Sequence, residues 1–97
     1  MHEIKHSETF EKQLRKLGDN GTEILLLKAI KALEDDPLKG EPLKYELEGL
    51  RSLRCARDHR VVYQIESNRI IIIAFGHGHD PYDEIKRHFR ATKERAF

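Results

Sequence analysis

The sequence predicts an α+β domain: a small, mostly antiparallel four-stranded sheet, an N-terminal helical hairpin packed on it, and a C-terminal helix. Three observations predict it. Apolar residues recur at helical spacing in two consecutive segments, Phe10/Leu14/Leu17 and Ile24/Leu26/Leu27/Ile30/Leu33. Three runs rich in β-branched residues, RSLRCA, HRVVYQIE and RIIIIAFG, then follow one another across short turns. Finally, Asp80-Pro81 supplies a helix start with Asp as N-cap and Pro in the first turn. The order β-α-α-β-β-β-α places the helices on one face of the sheet.

Each element has a local cause. HEIKHS (2–7) alternates as a short strand with Ile4 as its apolar member. Ser7 caps the first helix and Gly18 stops it. Asn20 with Glu23 three residues later opens a second helix over roughly 21–35, which Asp36-Pro37 ends. That helix is apolar over a wide arc and is expected to be well buried. PLKGEPLKYELEG (37–49) is a loop with at most a short strand around Leu43–Leu47. The run RIIIIAFG is apolar on both faces, which predicts a central strand. The last helix is expected over 81–95, with Ile85 and Phe89 inward and a basic outer face.

The chain of 97 residues is expected to be one domain spanning 1–97. MHEIKHSETFEKQL is too polar for the core of a signal peptide, and the runs ILLL and IIIIAF are too short to cross a membrane. A single cysteine, Cys55, excludes an internal disulfide and fits a reducing cytoplasm, with packing its expected role. The formal net charge of +1 conceals an asymmetry. Residues 1–50 carry eight Lys/Arg against eleven Asp/Glu, and residues 51–97 carry ten against six. A basic C-terminal half suits a polyanionic partner, or is ordinary surface scatter.

Three clusters carry candidate chemistry. RSLRCARDHR (51–60) has arginine at every third position. On strands of period two, Arg51 and Arg54 point to opposite faces, while Arg54 and Arg60 meet across the turn at Arg57-Asp58. Adjacent guanidiniums repel unless an anion such as phosphate lies between them, or each pairs with a local acid such as Asp58 or Glu48. GHGHDPY (76–82) brings His77, His79 and Tyr82 to the end of the central strand. Those residues read as acid–base groups, as plain loop, or as metal ligands, the last lacking a third ligand at zinc-like spacing. Glu41, between Lys39 and Lys44, is an ionised carboxylate able to act as a base or merely as an ion-pair partner. Together these are the parts of a metal-free RNA cleavage: a base, cations for the phosphorane, and an acid.

The string EPLKYELEGLRSLRCARDHRVVYQIESNRIIIIA (41–74) resembles the RelE/ParE superfamily of type II toxins, and most closely its YoeB-like branch: EPLK, G, an S-x-R segment, then HR with two apolar residues and Tyr. GHGHDPY is similar to the His-and-Tyr ending of RelE-like chains. The resemblance implies a RelE-like fold and a cytoplasmic, ribosome-dependent endoribonuclease (mRNA interferase) that inhibits translation. Its implied partners are a cognate antitoxin, the ribosome and mRNA, with a homodimer or a toxin–antitoxin hetero-oligomer as the assembly. By position it implies Glu41 as general base, Arg60 as the phosphate-stabilising arginine, Arg54 as its auxiliary, and Tyr82 with His77 or His79 as the acid. Arg51, Arg57 and Lys44 complete the expected RNA-binding set, and neither metal nor cofactor is expected. Arg51 stands where the family has an aromatic residue, and Gly78 where it has a basic one. Two alternatives accompany this reading: a ParE-like inhibitor of DNA gyrase, and an inactive homologue that retains only antitoxin binding.

Overall fold

The computed structural model describes residues 2–78 and 80–87. Its elements are β1 (Glu3–His6), α1 (Glu8–Leu17), α2 (Asn20–Ala32), β2 (Glu41–Pro42), a 3-10 turn (Tyr45–Leu47), β3 (Arg51–Cys55), β4 (His59–Glu66) and β5 (Arg69–His77). A third helix, α3, is described over 80–87. The remainder of the expected 81–95 helix, including Phe89, lies outside the described residues. No helix among them is long and apolar enough to cross a membrane.

The sheet has five strands in the order β1-β5-β4-β3-β2, antiparallel except where β1 runs alongside β5. The fifth strand, β2, is only two residues long and replaces the short strand expected around Leu43–Leu47. Pro42 has no amide hydrogen, so a strand containing it survives only at an edge. The apolar run β5 is internal, as its two-faced composition requires, flanked by β1 and β4.

Helix caps set the hairpin. Ser7 Oγ accepts from the Phe10 amide (3.0 Å) and donates to the Ile73 carbonyl (2.6 Å), tying the start of α1 to β5. Gly18 ends α1 at φ 67°. Asp19 rather than Asn20 caps α2, accepting from the Thr22 amide and hydroxyl at 3.2 and 2.9 Å. The helix therefore begins one residue earlier than the sequence suggested.

Two cores share the sheet. On the hairpin face, Phe10, Leu26, Ile30 and Leu33 pack against Leu53, Val61, Tyr63, Ile70, Ile72 and Phe75. On the opposite face, Ile85 of α3 and Leu47 and Leu50 of the loop cover Val62 and Ala74. The helices therefore do not share one face: α3 sits across the sheet from the hairpin. Nor is α2 well buried. Ile24, Leu25 and Leu27 remain 54%, 51% and 39% exposed, because the helix meets the core through Leu26, Ala29 and Ile30, and no other described element covers its outer side.

A bulge relates the two faces. Val62 pairs with Ala74 but Tyr63 with Ile72, so Ile73 is an extra residue in β5. It brings Phe75 onto the hairpin face beside Phe10 at a 5.5 Å ring separation. It also turns Gly76 toward α3, where a Cβ would meet Pro81 Cδ at 3.1 Å.

Tyr63 is fully buried, yet its hydroxyl leaves the core to donate to the Pro37 carbonyl (2.7 Å) and accept from the Gly40 amide (3.0 Å). Tyr63→Phe leaves both backbone groups without a partner and should cost about 1–3 kcal/mol. Urea denaturation with an unchanged m-value checks it. A loss well below 1 kcal/mol would mean that water replaces the hydroxyl.

Candidate functional site

The site begins with the loop before β2. Gly40 is held from both sides: Tyr63 binds its amide, while Arg51 Nε and Nη2 donate to its carbonyl at 3.2 and 2.8 Å. Arg51 Nη2 also donates to the Leu38 carbonyl at 3.2 Å. A Cβ at Gly40 would lie 2.7 Å from Tyr63 Oη and 2.8 Å from the Ser52 carbonyl oxygen, so only glycine lets the loop come this close. The next residue, Glu41, is thereby set directly opposite Ser52 in the β2–β3 ladder.

Strand parity does the rest. Glu41 and Ser52 share a face, as do Arg54 and Arg60, which are direct partners across β3–β4. These four residues, with Lys39, Gly40 and Leu53, line a hollow of about 280 Å³. Its walls carry three cations and one carboxylate. Glu41 and Arg60 make no hydrogen bond or ion pair among the described residues. Arg54 is weakly committed: Nη2 lies 3.8 Å from Asp58 Oδ1 and Nε donates to the Arg57 carbonyl at 3.4 Å, with both side chains mostly in solvent. Local acid pairing thus accounts for part of one arginine and none of the other.

Tyr82 reaches the same face from α3. Its hydroxyl lies 2.7 Å from Ser52 Oγ, and either oxygen can donate. Ser52 is 4% exposed, so this contact is sheltered at the edge of the hollow. The phenol therefore hangs on the residue directly across the ladder from Glu41. A carboxylate, two facing guanidiniums and a phenol form one constellation suited to a phosphate with a proton to lose on one side and one to gain on the other.

The other expected site residues lie apart. His77 pairs with His59 on the hairpin face, away from Glu41 and Tyr82. Arg57 occupies the β3–β4 turn at φ 68° and borders a second hollow on that face. Arg51 is engaged with the loop carbonyls, a structural use of the guanidinium. Lys44 is exposed just before the 3-10 turn, beyond the hollow. His79 lies outside the described residues. The sequence reading missed Ser52 and Lys39. Ser52 was detectable from its parity with Arg54, whereas Lys39 has no signal beyond its charge. No group of three or more His, Cys, Asp or Glu among the described residues is arranged to hold a metal ion.

A five-stranded sheet with a helical hairpin on one face and a polar, cation-rich hollow on the other defines a small α+β domain with one candidate anion site. The chain belongs to the family of ParE toxins of type II toxin–antitoxin (parDE) systems, whose model matches residues 4–82. Solved structures share the fold. The RelBE2 toxin–antitoxin complex from Mycobacterium tuberculosis contains a chain 28% identical at a TM-score of 0.67, covering 81% of this chain and 93% of that one. The YoeB dimer from Staphylococcus aureus is 24% identical, with a TM-score of 0.64 and coverages of 75% and 92%. The intact RelBE complex from E. coli is 22% identical, with a TM-score of 0.59 and coverages of 80% and 98%. No curated protein matches the chain.

Cys55 ends β3 with its side chain against the hairpin core rather than in the hollow. Burial pushes its thiol up to about 11, from an ordinary 9.0. Two units mean about a hundredfold less thiolate at neutral pH. Alkylation by iodoacetamide should accordingly be slower in the folded chain than in urea by about that factor. Equal rates would show the thiol to be open and reactive.

Proposed function

We propose that the chain is the toxin of a type II toxin–antitoxin system and a metal-independent endoribonuclease that cuts mRNA in the translating ribosome. The observation that carries this reading is the convergence of Glu41, Arg54, Arg60 and the Ser52–Tyr82 pair on one face. Glu41 removes the proton of a ribose 2′-hydroxyl, and the freed oxygen attacks the adjacent phosphorus. Arg60 and Arg54, with Lys39 beside them, offset the charge that accumulates on the phosphorane oxygens. Tyr82 gives its proton to the departing 5′-oxygen, leaving a 2′,3′-cyclic phosphate and a 5′-hydroxyl. Ser52, donating to the phenol oxygen, stabilises the phenolate as that proton leaves. Solvent then returns a proton to Tyr82 and accepts one from Glu41.

His77 has no part in this scheme, which gives the acid role to Tyr82. The partners of the reading are the ribosome, mRNA and a cognate antitoxin, in the cytoplasm. The apolar side chains that α2 leaves in water, Ile24, Leu25 and Leu27, support a protein partner that covers them. One observation favours a second reading: the matching family bears the ParE name, the branch for which the resemblance of the sequence implies an inhibitor of DNA gyrase. Gly78 and the near-neutral charge favour a third, an inactive homologue that binds antitoxin alone.

Induced expression separates all three. The nuclease reading expects growth arrest with cuts in translated message by primer extension. With purified ribosomes, Glu41→Gln and Tyr82→Phe should each slow cleavage by about 10²–10⁴-fold, the usual contribution of a general base or acid. Arg60→Ala should abolish both cleavage and arrest. Broken DNA without RNA cuts would support the gyrase reading instead, and unaffected growth the inactive one.

A further inference from the structure

His77, in the GHGHDPY segment, is a described residue that the proposed chemistry does not use. It stands directly opposite His59 in the β4–β5 ladder, and the two imidazole centroids lie 3.9 Å apart with the rings tilted by 44°. His59 is 8% exposed, and its Nδ1 lies 3.0 Å from the Ala56 carbonyl oxygen. An N–H on Nδ1 donates there, which leaves the lone pair on Nε2, the tautomer that metal-binding histidines adopt through a backbone carbonyl. His77 is exposed, and no hydrogen bond or ion pair occupies it among the described residues. Both imidazoles border a hollow of about 600 Å³ whose other polar walls are Asp19, Thr22, Arg57 and Asp58.

Two carboxylates against one guanidinium make this hollow a poor place for phosphate and a favourable one for a cation. Hard ions such as Mg²⁺ and Ca²⁺ prefer oxygen ligands, whereas imidazole nitrogen suits late first-row divalent ions. The ladder holds the two rings together in advance, so a chelate loses little further freedom on forming. We propose that His59 and His77 form a two-nitrogen binding site for a late first-row divalent metal ion, Cu(II) above Ni(II) and Zn(II). Water completes the coordination, since no third protein ligand is in place among the described residues. The bound ion cross-links β4 to β5. It lies across the sheet from the Glu41–Arg60 hollow and is independent of the reaction proposed there. Spacing along the chain conceals the site, because its two ligands come from different strands, eighteen positions apart.

The test is Cu(II) titration of the full chain, followed by electron paramagnetic resonance and thermal melting. A His2→Ala background is used throughout, because an α-amino group with histidine in second position chelates copper by itself. The expected result is one equivalent bound with two imidazole-nitrogen couplings and a raised melting temperature. His77→Ala, which alters an exposed side chain, should weaken binding by at least about tenfold and remove the thermal shift. His59→Ala should do the same wherever circular dichroism shows it folded. Unchanged copper affinity in His77→Ala overturns the proposal, and so does copper that binds the background chain without raising its melting temperature.

Discussion

The candidate site depends on one constraint: the loop before β2 is held against the sheet at Gly40 by a buried phenol on one side and a guanidinium on the other. Tyr63 and Arg51 are ladder partners, so their side chains emerge together on the hairpin face and grip the loop as a pair. The hydroxyl of a fully buried Tyr63 must find partners or forfeit its hydration, and the backbone at Pro37 and Gly40 supplies both. This fixes where β2 meets β3. Because side chains alternate, fixing Gly40 on one face fixes Glu41 on the other. A structural contact in the core thus determines the direction of a carboxylate in the hollow. Arg51 belongs to that contact, which explains an arginine in a position where RelE-like chains carry an aromatic residue.

The hollow itself works against the fold. Arg54 directly opposite Arg60 is a like-charge pair, a kind of cross-strand contact that destabilises a sheet. Asp58 relieves it weakly at 3.8 Å, and Glu41 does not pair with either guanidinium. A chain selected only for stability would place an acid or an apolar residue at one of these positions. Uncompensated charge around this hollow of about 280 Å³ does not serve folding, and it is what the proposed reaction would use to hold a phosphate. The cost is tolerable because both side chains remain in contact with water, where the repulsion is strongly screened.

Much of this was legible beforehand. The element order, the capping by Ser7 and Gly18, the internal position of β5 and the Arg54–Arg60 pairing all follow from periods of 3.6 and 2 and from turn chemistry. What escaped reading has physical reasons. The burial of α2 was overestimated because composition reveals that Ile24, Leu25 and Leu27 are apolar but not whether another layer covers them. A two-residue edge strand containing Pro42 has no periodicity to detect. Ser52 and Tyr82 are separated by 30 positions, and only the packing of α3 on the sheet makes them neighbours.

The placement of His77 shows how a single inserted residue redirects chemistry. Counting by twos from Ile72, which faces the hairpin, an unbroken strand would put residue 77 on the opposite face, beside Tyr82. The bulge at Ile73 reverses that parity. Phe75 then reaches the hairpin core, Gly76 faces Pro81 and makes room for α3, and His77 is carried to the hairpin side to meet His59. The same insertion that lets α3 bring its phenol to Ser52 thus withdraws the neighbouring imidazole from it. An acid built from both His77 and Tyr82 is incompatible with this sheet. Restoring it would require removal of the bulge, which would turn Phe75 out of the core that holds the hairpin.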